Sequence, residues 1–179
     1  LMKKEVEKLL QYVQKPARYI GGELNAVVKD KDKIDIRYAF CFPDTYEIGM
    51  SHLGMKILYG LVNDREDSWC ERVFAPDNDM EEQLRKNNVP LFALESGDYI
   101  KDFDMIGFTL QYELSYTNVL NMLNLAQIPL KSSDRENLTP LICVGGPCAC
   151  NPEPITDFVD IVFLGDGEET TNLSLIHIS

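Results

Sequence analysis

The sequence predicts an α/β fold built on a doubly wound, mostly parallel sheet. Short apolar runs rich in β-branched and aromatic residues recur along the chain, and segments with helical periodicity separate them. The apolar runs are continuous rather than alternating, which is typical of parallel strands that helices cover on both faces. The regular alternation of strand and helix then implies right-handed crossovers between parallel strands.

The predicted elements follow from these patterns in chain order. Strands are predicted over residues 34–42, 70–74, 105–110, 141–144 and 161–164, with a further short strand at 91–94. Helices are predicted over residues 3–14, 52–62, 79–87 and 116–126. Asp79 is the expected N-cap of its helix, because Glu82 follows at capping-box spacing. Residues 1–33 are therefore read as an N-terminal helix and linker, and residues 34–172 as the α/β domain.

Composition limits the partners of this domain. The 179 residues include 17 Lys and Arg against 29 Asp and Glu, so the formal net charge of −12 opposes direct binding to nucleic acid. No apolar stretch reaches the about 20 residues needed to span a bilayer, and residues 1–14 lack the apolar segment of a signal peptide. We therefore expect a cytoplasmic protein that contacts no membrane.

The cysteines predict thiols rather than a metal site. Five cysteines, an odd number, fit reduced side chains in a reducing compartment. Cys143, Cys148 and Cys150 have a C-x4-C-x-C spacing that differs from the paired C-x2-C spacing of zinc knuckles, and a fourth ligand would have to come from elsewhere. We interpret them as buried structural thiols.

The last seven residues, 173–179, read LSLIHIS and resemble the translated end of a sequencing-library adapter. We therefore interpret them as a non-native tail in which His177 has no role. The expectation is that the gene continues beyond this chain and that its chemistry lies in the missing part.

Four loops at the predicted carboxyl ends of strands are the candidate binding site. In open parallel sheets, ligands bind at this edge, near the point where the strand order reverses. Residues 43–54, 111–115, 145–147 and 165–168 form these loops, and we expect them to converge on one shared hollow. No catalytic residue is predicted, because the nearby carboxylates are not paired by spacing. The predicted cofactor-binding residues are Ser51, His52, Gly54, Thr109, Gln111, Ser115, Gly145, Gly146, Pro147, Gly165, Gly167 and Glu168.

Four stretches of the chain carry a resemblance to a known family. They are KPARYIGGELN at residues 15–25, FPDTYEIGMSHLGMKILYGL at 42–61, GFTLQYELSYTNVLNML at 107–123 and GGPCACNPEPITDFVDIVFLGDGEE at 145–169. The last stretch is similar to the segment with which cobalamin-binding-type domains of radical SAM proteins end. Together the four stretches resemble one branch of that family, and they cover nearly the whole chain before the tail.

The resemblance implies a flavodoxin-like, Rossmann-type domain of the cobalamin-binding kind, which precedes a barrel-shaped radical SAM domain. In such proteins a C-x3-C-x2-C motif holds a [4Fe–4S] cluster, and S-adenosylmethionine is cleaved to a radical. This chain has no such motif. We therefore expect that this chain is not catalytic by itself. The resemblance further implies that the complete protein transfers a methyl or thiomethyl group. It also implies that this chain binds cobalamin and contacts the missing barrel.

His52 tests the cobalamin expectation. It is a candidate ligand, an anion partner, or a residue that caps or packs at a helix start, and we favour the last of these. The D-x-H-x-x-G pattern of histidine-ligated cobalamin proteins is absent, because Met50 lies two residues before His52 and Met55 three after. Two alternatives therefore stay open: a docking module that has lost the corrinoid, and a flavodoxin-like domain for a flavin or nucleotide.

Overall fold

The chain forms a five-stranded sheet with helices on both faces. The computed structural model describes residues 3–168 and residue 171. The strands are β1 (Ile36–Phe42), β2 (Ser68–Phe74), β3 (Met105–Thr109), β4 (Leu141–Gly145) and β5 (Ile161–Val162). The α-helices are α1 (Lys4–Leu9), α2 (Tyr46–Ser51), α3 (Leu53–Asn63), α4 (Asn78–Asn87) and α5 (Ser115–Leu125).

The sheet has the order β2-β1-β3-β4-β5, and all of its paired strands are parallel. The strand order reverses between β1 and β3, which is the switch point of a flavodoxin-like sheet. Across this point Phe40 of β1 lies opposite Gly107 of β3, which in turn lies opposite Cys143 of β4. The predicted fold class is therefore confirmed.

Two separate groups of buried side chains cover the two faces. On one face, α1, α4 and α5 bury residues such as Val6, Leu84 and Val119 against the sheet. On the other face, α3 packs Met55 and Tyr59 against the aromatic side chains of β1. This two-sided coverage explains why the strands read as continuous apolar runs. Among the described helices, none is long and apolar enough to cross a membrane.

Residues 91–94 do not form the predicted strand. Phe92 makes an isolated antiparallel bridge with Tyr99, and the Leu94 N–H donates to the Arg72 carbonyl at 2.8 Å. The segment is apolar because it is buried along the free edge of β2, where it covers strand groups that would otherwise meet solvent. Sequence periodicity does not distinguish such an edge cover from a short strand.

Several predicted boundaries also change. The helix predicted over residues 3–14 is α-helical only to Leu9 and then tightens into a 3-10 turn. A short helix, α2, occupies part of the loop predicted after β1. The N-cap position of α4 belongs to Asp77 rather than Asp79. Asp79 instead accepts a hydrogen bond from the backbone N–H of Gln14 at 2.8 Å, which ties the N-terminal segment to α4.

Two buried carboxylates, those of Glu95 and Glu71, form ion pairs near the edge segment. The Arg72 Nε–H donates to Glu95 at 2.6 Å, and the side chain of Glu95 is fully buried. One residue before Arg72 on β2, the equally buried carboxylate of Glu71 pairs with Arg37 of β1 and accepts a hydrogen bond from the backbone N–H of Ser96 at 2.9 Å. Each of these buried carboxylates is thus paired with an arginine and also accepts a hydrogen bond from a backbone N–H, that of Arg72 or of Ser96.

Candidate ligand-binding site

A cavity of about 280 Å³ opens at the carboxyl edge of the sheet, on the face that α3 covers. Its floor is the sheet itself, with Tyr38, Phe40, Gly107 and Cys143, and Leu58 of α3 forms part of its wall. It spans β1 and β3 and therefore lies at the switch point. Ten of the twelve predicted binding residues line it: His52, Gly54, Thr109, Gln111, Gly145, Gly146, Pro147, Gly165, Gly167 and Glu168.

The loops after β3 and β4 meet because their backbones are bonded to each other. The Leu110 N–H donates to the Gly145 carbonyl at 2.7 Å, and the Cys148 N–H donates back to the Leu110 carbonyl at 3.1 Å. Gly146 has a φ of +100°, and a Cβ at this position would lie 2.8 Å from the Leu110 carbonyl oxygen. Glycine therefore permits the close approach of the two loops that closes this side of the cavity.

The cavity lining is mainly apolar and aromatic. Thr109 Oγ1 accepts a hydrogen bond from Gln111 Nε2 at 2.6 Å, which leaves the threonine hydroxyl proton available to a ligand. Among the described lining residues there is no lysine or arginine, and the carboxyl group of Glu168 is exposed at the mouth. A phosphate group inside the cavity would thus find no fixed positive charge from these side chains.

Sequence reasoning missed Tyr38, which lies across Gly107 on the cavity floor. Only 5% of Tyr38 is exposed, and a Cβ on Gly107 would fall 1.9 Å from its hydroxyl oxygen. Burial raises the pKa of Tyr38 well above its usual value, so the phenol stays protonated. The available signal was Gly107 itself, because a glycine inside a buried strand marks the close approach of another group.

His52 caps helix α3. Its Nδ1 accepts a hydrogen bond from the Met55 N–H at 3.1 Å, and its ring packs on Phe42 with the ring centroids 5.1 Å apart. In a neutral imidazole whose Nδ1 is the acceptor, Nε2 carries the proton and has no lone pair for a metal. The capping interpretation therefore describes His52, and in this arrangement it is not a cobalt ligand.

Replacing His52 by alanine is expected to lower the free energy of unfolding by about 1 kcal/mol, because the Met55 N–H loses its partner. Asparagine also accepts a hydrogen bond at the N-cap, so His52→Asn should retain most of the wild-type stability. Urea unfolding at pH 8 measures both variants. Equal losses in the two variants would show that ring packing, and not capping, is what His52 contributes.

Ser51 and Ser115 lie outside the cavity lining. The Ser51 hydroxyl donates to the Glu47 carbonyl at 2.7 Å along α2, where the serine is exposed. Ser115 is buried, and its hydroxyl donates to the Tyr112 carbonyl at 2.6 Å where α5 begins. Both hydroxyls thus bond the backbone of the loops that carry the site.

The cysteines are all free thiols. Cys143 lines the cavity, and burial raises its pKa to about 12, which keeps it protonated. The buried interpretation is wrong for Cys150, which is exposed, and Cys148 is only half-buried, because the 3-10 turn after β4 runs along the surface. Within the described part of the chain, no group of three or more His, Cys, Asp or Glu side chains is arranged to hold a metal ion.

The topology and the cavity define a flavodoxin-like α/β domain with an open site at its switch point. Residues 54–178 match the family described as "Radical SAM proteins, N-terminal", and the chain belongs to that family. It is also 28% identical over 131 residues to the uncharacterized protein MJ0966 of Methanocaldococcus jannaschii. That match covers 73% of this chain and 24% of the relative, so the chain spans about a quarter of the curated relative it matches. No solved structure matches the chain.

Proposed function

We propose that this domain binds a corrinoid, cobalamin, at the cavity on the carboxyl edge, as the N-terminal domain of a radical SAM enzyme. The observation that carries the proposal is the cavity at the switch point, lined by loops that follow β3, β4 and β5. The family supports the second part, since its description places such domains at the N-terminus of radical SAM proteins.

The cavity fits a single flat group of a corrinoid rather than the whole molecule. Ligand pockets commonly measure about 300–1,000 Å³, so a cavity of about 280 Å³ takes a single flat group of a large ligand. The exposed Gly146, Pro147 and Gly165 at the mouth then offer backbone contacts to the remainder of it. His52 does not fit cobalt ligation, so we propose binding without a protein histidine.

A corrinoid, when bound, supplies a carrier for a methyl group, and methyl or thiomethyl transfer is therefore the reaction class we propose for the complete enzyme. S-adenosylmethionine and a [4Fe–4S] cluster are proposed to bind elsewhere in that enzyme, because no cysteines here have the C-x3-C-x2-C spacing. The role of this chain's own residues is to hold and orient the carrier. Its five free thiols support a reducing compartment, the cytoplasm, as the place of action.

The same edge of the sheet offers an apolar surface to a neighbouring domain. Four large apolar side chains that follow strand ends are exposed: Ile48, Leu53, Leu114 and Leu164. Exposed apolar residues grouped near a cavity are typical of interaction sites. We propose that the radical SAM barrel packs here, and this observation also favours the alternative of a docking module without corrinoid.

Equilibrium dialysis of the chain against hydroxocobalamin tests the proposed cofactor. We expect retention by the wild type and at least about tenfold weaker retention by Leu58→Trp, because a tryptophan on α3 fills a cavity that buries most of a bound group. Ile57→Trp is the matched control. Ile57 is the neighbouring residue on the same helix, is exposed and does not line the cavity, so its variant should bind within about twofold of wild type.

Absence of retention by the wild type would contradict the proposed cofactor. In that case, binding of the chain to a separately produced radical SAM barrel would identify a docking module. Equal retention by the two tryptophan variants would place the corrinoid outside this cavity.

A further inference from the structure

We infer that a second binding site lies outside the switch-point cavity, in a groove between residues 23–27 and the helices α2 and α3, and that it takes an apolar chain ending in a carboxylate. The site goes beyond the proposed function and does not depend on corrinoid binding. None of the described residues that line this groove lines the switch-point cavity.

The walls of the groove are mainly apolar. It measures about 390 Å³, within the usual size of a ligand pocket. One wall is the segment before β1, with Leu24 and Val27, and the other is formed by Met50 of α2 with Met55 and Tyr59 of α3. Leu24 is 99% exposed, so an apolar chain in the groove would cover a side chain that now meets solvent. Methionines adapt their shape to such a chain.

Hydrogen bonds hold the segment before β1 in place. The Val27 N–H donates to the Tyr59 hydroxyl oxygen at 2.7 Å, and the Val27 carbonyl accepts from the Trp69 indole N–H at 2.9 Å. At the other end of the segment, the Glu23 carboxylate accepts from the Tyr46 hydroxyl at 3.1 Å. The groove is therefore formed before a ligand arrives, which lowers the ordering cost of binding.

A buried guanidinium supplies the polar part of the lining. The side chain of Arg72 is only 8% exposed, and it lines the groove. Its Nε–H donates to Glu95 at 2.6 Å, but its two terminal nitrogens have poorer acceptors, Met50 Sδ at 3.3 Å and Glu23 at 3.4 Å. A thioether is a weak acceptor, and a guanidinium has more N–H donors than these bonds use. A ligand oxygen would give these donors a better acceptor, since charge-assisted bonds measure about 2.7–2.9 Å.

The groove also has one positive charge that no described side chain balances. Arg72 is bonded to the carboxylates of Glu95 and Glu23. Lys56 lines the groove at its exposed side, and its ammonium group has no ion pair or hydrogen bond with any residue that the structure describes. This free charge favours an anionic group on the ligand. One carboxylate has two oxygens, so it can pair with Lys56 and also accept from Arg72.

Two probes with the same apolar chain test the inference. In NMR titrations of the ¹⁵N-labelled chain, we expect octanoate to bind about 3- to 10-fold more tightly than octan-1-ol, as one additional hydrogen-bonded contact predicts. Trp69 is the only tryptophan of the chain, and its indole N–H bonds a residue of the groove wall. Its single indole signal should therefore shift with octanoate, together with the amides of Gly49 and Gly60.

Gly60→Leu should block the groove and weaken octanoate binding at least about tenfold. Gly60 lines the groove, and a Cβ there meets no atom within 4 Å, so the variant should fold. Leucine is also a better helix former than glycine. Ile57→Trp is the matched control on the same helix, because Ile57 does not line the groove, and it should bind octanoate within about twofold of wild type.

Lys56→Met tests the carboxylate separately from the apolar chain. We expect octanoate to bind about 2- to 5-fold more weakly, as the loss of one exposed ion pair predicts, while octan-1-ol binding stays unchanged. Lys86→Met, on the exposed side of α4, changes the net charge by the same amount and should leave both affinities unchanged.

Three results would overturn the inference. They are an unshifted Trp69 indole signal with octanoate, equal binding of octanoate and octan-1-ol, and undiminished octanoate binding by Gly60→Leu. The proposed function fails separately, because octanoate binding is measured without corrinoid. If hydroxocobalamin is not retained while octanoate binds as expected, the groove stands and the corrinoid proposal fails.

Discussion

Replacing Arg72 by leucine is expected to lower the free energy of unfolding by about 3–5 kcal/mol at pH 8, the usual cost of breaking one side of a buried pair. The Arg72 guanidinium donates to Glu95 at 2.6 Å and packs over the ring of Tyr59 at 4.6 Å. Its loss leaves the fully buried Glu95 carboxylate without its cation. Chemical denaturation at several pH values measures the effect.

The loss of stability in Arg72→Leu should depend on pH in a direction that the pKa of Glu95 determines. Burial raises the pKa of Glu95 to about 6 even though Arg72 attracts its charged form, so burial outweighs the ion pair. At pH values between about 4.3, the ordinary pKa of a glutamate carboxyl group, and about 6, the pKa of Glu95 in the folded protein, the folded state binds more protons than the unfolded state. The contribution of Glu95 to stability is therefore most favourable below this window and falls as the pH rises through it.

Removal of Arg72 raises the pKa of Glu95 further, so the difference between wild type and Arg72→Leu should narrow as the pH is lowered from 8 to 5.5. The double variant with Glu95→Gln lacks the titrating carboxyl. The free energy of unfolding should differ less between the double variant and the Glu95→Gln single variant than between Arg72→Leu and wild type, and this smaller difference should not depend on pH. A constant loss for Arg72→Leu across this range would contradict a buried, unpaired carboxylate as its cause.

Gly107→Ala is expected to lower the free energy of unfolding by about 1–3 kcal/mol, the usual cost of overpacking a core. The new Cβ would lie 1.9 Å from the Tyr38 hydroxyl oxygen and 2.7 Å from the ring carbon that carries it. The ring has to move, and β3 lies in the middle of the sheet, where the backbone yields little. Thermal and urea unfolding measure the loss.

Two comparisons make the cause of this loss identifiable. In a Tyr38→Leu background the same glycine substitution should cost less, since the clashing ring is absent, and a double-mutant cycle reports the coupling. Gly60→Ala is the matched control on α3. Its Cβ would meet no atom within 4 Å, so alanine there should be neutral or stabilising. Additive effects of Gly107→Ala and Tyr38→Leu would contradict the packing described here.

The sheet and the edge that carries the site could be predicted from the sequence, because both follow from the geometry of a covered parallel sheet. Continuous apolar runs require cover on two faces, and parallel strands bring all their carboxyl ends to one edge. That is why the turns after β3, β4 and β5 meet around the cavity. The capping role of His52 was also readable, from its position at the start of a helix.

Other features depend on contacts between distant residues and have no local signal. The segment 91–94 is apolar because it covers an edge, and periodicity alone reads it as a strand. Glu95 looks like any surface carboxylate until β2 brings Arg72 beside it. In the sequence Tyr38 looks like any aromatic residue of a strand, and its position on the cavity floor follows only from the register that places β1 next to β3. The exposure of Cys150 depends on the path of the turn after β4.

Hydrogen exchange of the chain with and without hydroxocobalamin tests most directly whether the cavity at the carboxyl edge is the binding site. The account predicts slower amide exchange on adding the corrinoid at residues 107–111 and 145–149, whose backbones close the cavity. Exchange in α4, on the opposite face, should be unchanged. Unchanged exchange in both segments, or protection confined to α4, would contradict it.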